Sequence, residues 1–413
     1  DTMLEKGRDR WGEVHSPLFA VTLNRSNYEL FGADQGEVRE VLGIPVLYGA
    51  KMWGASANPP VNAGLYHVLY GLTEDTGDGR YAQAADGAIA YFWTHCQDPY
   101  SGLMYWGEEM AWHLEKDMSC TYIGKLRLHE PFPYDFFDRA YTLGPEVRTA
   151  LFRYAYGLWA YTMRDHEKAL WNRHYHIDEW PHGARSGKEY PRLVGQFCYT
   201  WGLAQEESGK GNFRREMLRA LQSVVDNSLR RCAPNGALPY TSVDERFSPH
   251  QVLMAICRLR RIVDLVPDDL AQKIDKLVTM QRDILVNDIE NPLTRERGYL
   301  TGVDLHTLKP EDPGKAGTPM WEGRWTTAWI AGKLFEYDRL AGGDPEIRAL
   351  ALKGADLYLE PPSPHYPKNM NAVPMADAID MLVDAFDATG KDVYRQRANA
   401  LAEDALDLFF NET

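Results

Sequence analysis

Histidines and acids gather in the second quarter of the chain: Glu108, Glu109, His113, Glu115, Asp117, His129 and Glu130, then Asn172, Arg173, His174, His176 and Asp178. Imidazole and carboxylate together can hold a divalent ion or exchange a proton, so this cluster is the main chemical signal. A helix running from Glu109 would set His113 one turn further on the same face, the spacing at which two side chains share one metal ion. The same spacing also makes an ordinary surface pair. His129-Glu130 precedes Pro131, which biases Glu130 toward extended backbone and off a helix, where its carboxylate can point into a cavity. Arg173 and His174 follow the apolar, aromatic run Leu158, Trp159, Tyr161, Leu170, Trp171 and arrive at the end of a buried helix. A His/Glu/His donor set suits manganese, cobalt, nickel or zinc better than calcium, which prefers oxygen alone. No HExxH, GxSxG, P-loop or strand-borne GxGxxG occurs, so zincin proteases, serine hydrolases, NTPases and Rossmann dehydrogenases lose their sequence support.

These residues must be positioned by helices. From Leu65 the apolar residues Val68, Leu69 and Leu72 recur at helical spacing, and after Thr76-Gly77-Asp78-Gly79 a second set follows Tyr81: Ala85, Ala88, Ile89, Phe92. The arrangement returns near the C-terminus, where Ile379, Leu382 and Phe386 precede Thr389-Gly390, and Tyr394, Ala398, Leu401, Ala405 and Phe409 follow. Both hairpins share TGxxxY. Pro145-Glu146-Val147-Arg148 and Pro345-Glu346-Ile347-Arg348 put proline where a first helical turn tolerates it and glutamate near the positive helix end. Repeated helix, short turn, helix units predict an all-α fold, an (α/α) toroid or barrel of stacked helical hairpins, with no alternating strands. Irregular stretches at roughly 44–62, 98–107, 176–192, 297–325 and 359–375 are long enough to line a cleft. None has the composition of a linker, so residues 1–413 read as a single domain.

Composition narrows the function. The 413 residues are 44% hydrophobic, enough for a large core. Lys plus Arg is 45 against 59 Asp plus Glu, and the net charge of −14 repels a polyphosphate, so no nucleic-acid partner is expected. No apolar stretch approaches the length of a bilayer span, so no membrane partner is expected. The first residues, Asp1-Thr2-Met3, suit either a cytosolic protein or a trimmed secreted one, with secreted or periplasmic favoured. Five widely spaced cysteines without a CxxC pair predict neither a disulfide framework nor a zinc knot. Twelve tryptophans and 23 tyrosines exceed ordinary core needs, and flat rings stack on sugar rings. Most fill the core in this reading, while Trp53, Trp106, Trp321 and Trp325, in Gly/Pro-rich segments, are the surface candidates.

Three motifs carry a resemblance. Ser101-Gly102-Leu103-Met104-Tyr105-Trp106-Gly107, then His129-Glu130-Pro131-Phe132-Pro133-Tyr134-Asp135-Phe136-Phe137, then Asn172-Arg173-His174 resemble, in order and spacing, the metal-dependent exopolygalacturonate lyases with an (α/α) barrel and related bacterial pectate-lyase-like proteins. The resemblance implies a transition metal held by two histidines and a glutamate, with an arginine directly before the second histidine as base. Arg173-His174 matches that pair and Glu130 the carboxylate. The first ligand falls at Glu109, where the family has histidine, with His113 one helical turn on. The implied activity is β-elimination of an anionic polysaccharide or oligosaccharide of uronic acid, polygalacturonate above all. Because a guanidinium is normally protonated, Tyr134 or His174 could take the proton instead, with Arg173 binding substrate.

Substrate contacts are expected from Lys51, Trp53 and Asn58 in the loop of residues 49–60, and from Trp321, Arg324 and Trp325. A cation flanked by aromatics suits a carboxylated sugar, or a stabilising surface stack. Lys51, Arg173 and Arg324 should then share one cleft. The competing expectations are a helical-toroid glycoside hydrolase using Glu109 with Asp117 or Asp304, a sugar epimerase using two histidines, and a noncatalytic carbohydrate-binding protein.

Overall fold

Short glycine turns set the helical hairpins. Gly77 and Gly390 take φ of 71° and 66°, the left-handed conformation that closes a helix without a side-chain clash, and each lies in one of the TGxxxY turns. The computed structural model describes residues 1–32, 36–41, 43–50, 54–121, 127–129, 136–166, 170–171, 174–176, 189–310, 317–322, 325–360 and 372–409. These divide into two compact units, residues 1–189 with 200–224, and residues 190–199 with 225–413. Among the described residues no helix is long and apolar enough to cross a membrane.

The first unit begins with α1 (Thr2–Lys6), β1 (Glu37–Val41), β2 (Ile44–Tyr48) and β3 (Ser56–Ala57), followed by the hairpin α2 (Pro59–Thr76) and α3 (Arg80–His95). Next come β4 (Met110–His113), β5 (Met118–Thr121), β6 (Arg127–His129), α4 (Phe137–Tyr141), α5 (Pro145–Tyr161), β7 (Met163–Asp165), β8 (Leu170–Trp171) and β9 (His174–His176). Helices α6 (Val194–Glu207) and α7 (Asn212–Arg231) carry residues of both units. The second unit adds β10 (Arg246–Phe247), α8 (Pro249–Arg260), α9 (Asp268–Asp283), β11 (Leu293–Thr294), β12 (Gly298–Tyr299), β13 (Val303–Asp304) and the hairpins α10 (Thr327–Leu340) with α11 (Pro345–Asp356) and α12 (Ala372–Thr389) with α13 (Asp392–Phe409). Proline opens α2, α5, α8 and α11, where its missing N–H costs nothing. Asp344 caps α11 by accepting from the Glu346 and Ile347 N–H groups at 3.2 Å, and Arg282 forks onto the same carboxylate at 2.7 and 2.6 Å.

One expectation fails. The first unit holds a five-stranded sheet in the order β1-β2-β5-β4-β3, antiparallel except where β2 runs parallel to β5. Its strands are two to five residues long, too short to leave an alternating pattern in the sequence. One face packs Leu47, Ala50, Ala111, Cys120 and Met118 into an apolar cluster.

The segment 98–107 is core rather than cleft lining. Asp98 is fully buried and accepts from the Ser101 N–H and hydroxyl at 2.6 and 2.5 Å, folding the loop onto itself. The Ser101 carbonyl lies so close to Gly157 of α5 that any Cβ there would overlap it. Trp106, a surface candidate in the sequence, is fully buried, its ring 5.4 Å from Trp93 and 5.5 Å from Tyr154 in edge-on contacts. Trp106→Ala should therefore cost about 3–5 kcal/mol of stability. Urea unfolding would show this as a large drop in midpoint, and an unchanged midpoint would refute the core assignment.

Candidate active site

The strand β4 carries the first group of candidates. Residues 110–113 are extended, not helical, so the one-turn helical spacing expected for Glu109 and His113 does not occur. His113 is 1% exposed, and its Nδ1 accepts the Lys116 N–H at 3.2 Å. In this arrangement the ring proton sits on Nε2, and among the described residues that buried atom has no hydrogen-bond partner. Burial, with the charge of Lys116, pushes its pKa down to about 4, so the ring is neutral at ordinary pH. Glu109, half-buried, directly precedes the strand.

Asn58 is fully buried at the start of α2. Its Nδ2 donates to Gly107 O at 2.9 Å and Met110 O at 3.4 Å, while its Oδ1 accepts the Gly107 N–H at 3.2 Å. Backbone occupies both ends of the amide, so Asn58 braces the run into Glu109 and does not contact substrate, a correction of its expected role. Asp117, one partner in the alternative carboxylate pair, accepts the Glu13 and Val14 N–H groups at 2.8 and 3.0 Å and ties the N-terminal segment down.

The second group comes together through backbone pairing. β6 and β9 are antiparallel, with Arg127 opposite His176, Leu128 opposite Tyr175 and His129 opposite His174. Opposed residues in such a ladder have Cα atoms about 4.5–5.5 Å apart. Forty-five positions of sequence separate these two histidines, yet the ladder makes them neighbours, and β4 packs against β6. Glu130 directly follows His129 and Arg173 directly precedes His174 in the chain. Glu130, Tyr134 and Arg173 lie outside the described residues, as do Lys51, Trp53 and Arg324, so the expectation of one shared cleft for the three cations falls there too. Among the described residues no group of three metal-ligating side chains is gathered.

In the second unit, helix starts converge on groups that the sequence reading missed. His250, the second residue of α8, is buried, and its ring lies 4.8 Å from the half-buried Trp325 just before α10. Ser248 Oγ is 3.3 Å from its Nδ1, and Gln251 Nε2 donates to its Nε2 at 3.2 Å. Burial, then the charge of Arg246, lowers its pKa to about 4. Arg192 stacks over Tyr240 at 3.8 Å with Arg246 over the same ring at 5.4 Å. Asp377 of α12 accepts the Thr326 hydroxyl at 3.1 Å, and burial raises its pKa to about 6. The available signal was Ser248-Pro249, which places His250 in the first turn of a helix. Trp321, expected to meet sugar, is only 7% exposed and packs edge-on against Tyr358 at 4.9 Å, so it belongs to the core. Asp304 instead fixes a turn, accepting from the Thr307 N–H and hydroxyl at 2.8 and 2.9 Å, which lowers its pKa.

A family of periplasmic pectate lyases matches residues 52–202, a span that contains every candidate around β4, β6 and β9. No curated protein matches the chain. Among solved structures the fold is similar to a D-mannose isomerase, with 10% identity and a TM-score of 0.55 over 84% of this chain and 88% of that one. It is also similar to a sugar epimerase from a ruminal bacterium, with 11% identity and a TM-score of 0.52 over 79% and 85%. The fold class is thus the all-α, (α/α)-toroid class that the hairpins predict. The family match supports an enzyme acting on carbohydrate. The family's description names the periplasm, in accord with a secreted or periplasmic protein.

The His113 assignment has a pH consequence. Its folded pKa lies below the unfolded value near 6.5, so the unfolded chain binds the proton first, and stability present above pH 6.5 is lost as pH falls toward 4. His113→Gln, which cannot titrate, should remove about 2–3 kcal/mol from the wild-type loss over that window. Urea unfolding at pH 7 and pH 4.5 measures it, and parallel losses in the two proteins would exclude a buried neutral imidazole.

Proposed function

We propose that the chain is a polysaccharide lyase that cleaves a uronic-acid polymer or oligomer, with polygalacturonate the favoured substrate, through one catalytic domain spanning residues 1–413. The observation that carries this reading is the β6–β9 ladder, which makes His129 and His174 neighbours inside the span matched by the pectate lyase family. The residue types suit a divalent transition metal: two imidazoles on paired strands and a carboxylate next to one of them in the chain, the mixture preferred by manganese, cobalt, nickel or zinc. His174, Glu130 and His129 would hold it, with Glu109 directly before β4 in the chain. A bound ion would supply Lewis acidity at the uronate carboxylate.

The chain's own groups then have defined tasks. The C5 proton of a 4-linked uronic acid is weakly acidic until the neighbouring carboxylate charge is offset, and the developing enolate needs fixed positive partners. Arg173, beside His174, takes the C5 proton or binds the carboxylate while Tyr134 takes it; the C4–O bond then breaks, a C4–C5 double bond forms, and the departing oxygen is protonated. Arginine acts as base only when its guanidinium is deprotonated by a cationic, water-poor surrounding.

A second reading is favoured by a separate observation. His250, buried and neutral beside Trp325, is the kind of imidazole that a helical sugar epimerase or isomerase uses to move a proton at a sugar carbon.

Incubation with polygalacturonate and a divalent metal should raise ultraviolet absorbance as the unsaturated uronide forms, with loss in chelator and recovery on adding manganese or cobalt. Arg173→Ala should lower kcat by about 10²–10⁴-fold, and His174→Ala should lower bound metal as well. New reducing ends without absorbance would replace elimination by hydrolysis, and epimerised product abolished by His250→Ala would replace it by the second reading.

A further inference from the structure

The first unit has a cleft that the proposed chemistry does not use. It is about 630 Å³, within the usual size of a ligand site, and is lined by Tyr156, Trp159 and Ala160 from α5, His166 beyond β7, and Glu216 and Arg219 from α7. The sequence reading took Trp159 as part of a buried run and assigned nothing to the others.

Its parts differ in what they offer. Tyr156 is 49% exposed, a flat ring open to a partner at the C-terminal end of α5. Trp159 beneath is buried and fixes the wall, with the His166 ring edge-on at 4.5 Å and His166 Nε2 donating to Trp159 O at 2.8 Å. That bond leaves His166 Nδ1 as an acceptor on an exposed side chain. Glu216 and Arg219 stand one turn apart on α7, and among the described residues no ion pair engages either. An aromatic face beside one guanidinium, one carboxylate and one imidazole acceptor suits a sugar that carries both hydroxyls and a carboxylate. On a chain of net charge −14, an exposed arginine beside an open ring is where a polyanion can be held.

The chain itself bounds how far the cleft can lie from the candidate chemistry. Asp165 pairs with Leu170, His166 follows Asp165, and His174 lies four residues past Leu170. Covalent reach therefore limits the His166 to His174 Cα separation to about 24 Å. A polymer of a few sugar units covers that distance.

We infer that this cleft is a distal subsite, where Tyr156 stacks on one sugar ring of a uronan chain and Arg219 pairs with its carboxylate while a remote bond of the same chain is cleaved. The inference rests on the uronan reading and adds to it that the substrate is a polymer, gripped away from the cut. Both side chains are exposed, so Tyr156→Ala and Arg219→Gln should fold normally.

The test measures KM for polygalacturonate and for trigalacturonate, and, in chelator, calorimetric binding of polygalacturonate against neutral galactan. Each variant should raise KM for the polymer about three- to tenfold more than KM for the trimer, and weaken polymer binding by a similar factor. Equal changes on polymer and trimer, or no change on either, would overturn the subsite while leaving lyase activity standing. A wild type that eliminates nothing but binds the polymer through Arg219 would retain the cleft and remove the lyase reading. Wild-type protein that binds polygalacturonate no better than galactan would remove both.

Discussion

The antiparallel pairing of β6 with β9 is the constraint on which the candidate chemistry depends. Three residues on each side hold together two segments that the sequence separates by more than forty positions, and His129 and His174 are opposite in its register. A ladder this short has few hydrogen bonds and little cooperativity of its own. It must be supported by what packs around it: β4 lies against β6, Asn58 clamps the backbone entering β4, and Trp106 anchors that backbone in an aromatic core. Residues far from the chemistry therefore decide whether the histidines meet.

The helical frame was legible because its signals are local. Apolar spacing of three and four residues, TGxxxY at two turns and Pro-Glu at two helix starts each report on a few neighbouring residues, and the hairpins α2–α3 and α12–α13 lie where these signals put them. The five-stranded sheet was not legible, since strands of two to five residues carry no period and their partners are distant in sequence. The same gap explains the Glu109–His113 error: helical spacing was assumed in a segment whose conformation is set by pairing with β5 and β3.

Residue types were read more reliably than residue roles. Asn58 and Trp321 have the chemistry of sugar contacts, but backbone carbonyls and a tyrosine ring already occupy them. His250 and Asp377 escaped notice because each gains its character only from burial, His250 in the first turn of α8 beside a tryptophan and Asp377 within α12 beside a threonine. Burial acts in opposite directions on the two, lowering the imidazole and raising the carboxyl, so both favour the neutral form. The second unit thus has groups suited to proton transfer.

The account is tested most directly by a crystal structure of the Arg173→Ala protein with trigalacturonate bound. A uronate carboxylate seated against the His129-Glu130 and His174 segments, with the C5–H directed at position 173, is the predicted result. A trisaccharide found against His250 and Trp325, with the β6–β9 region empty, would contradict it.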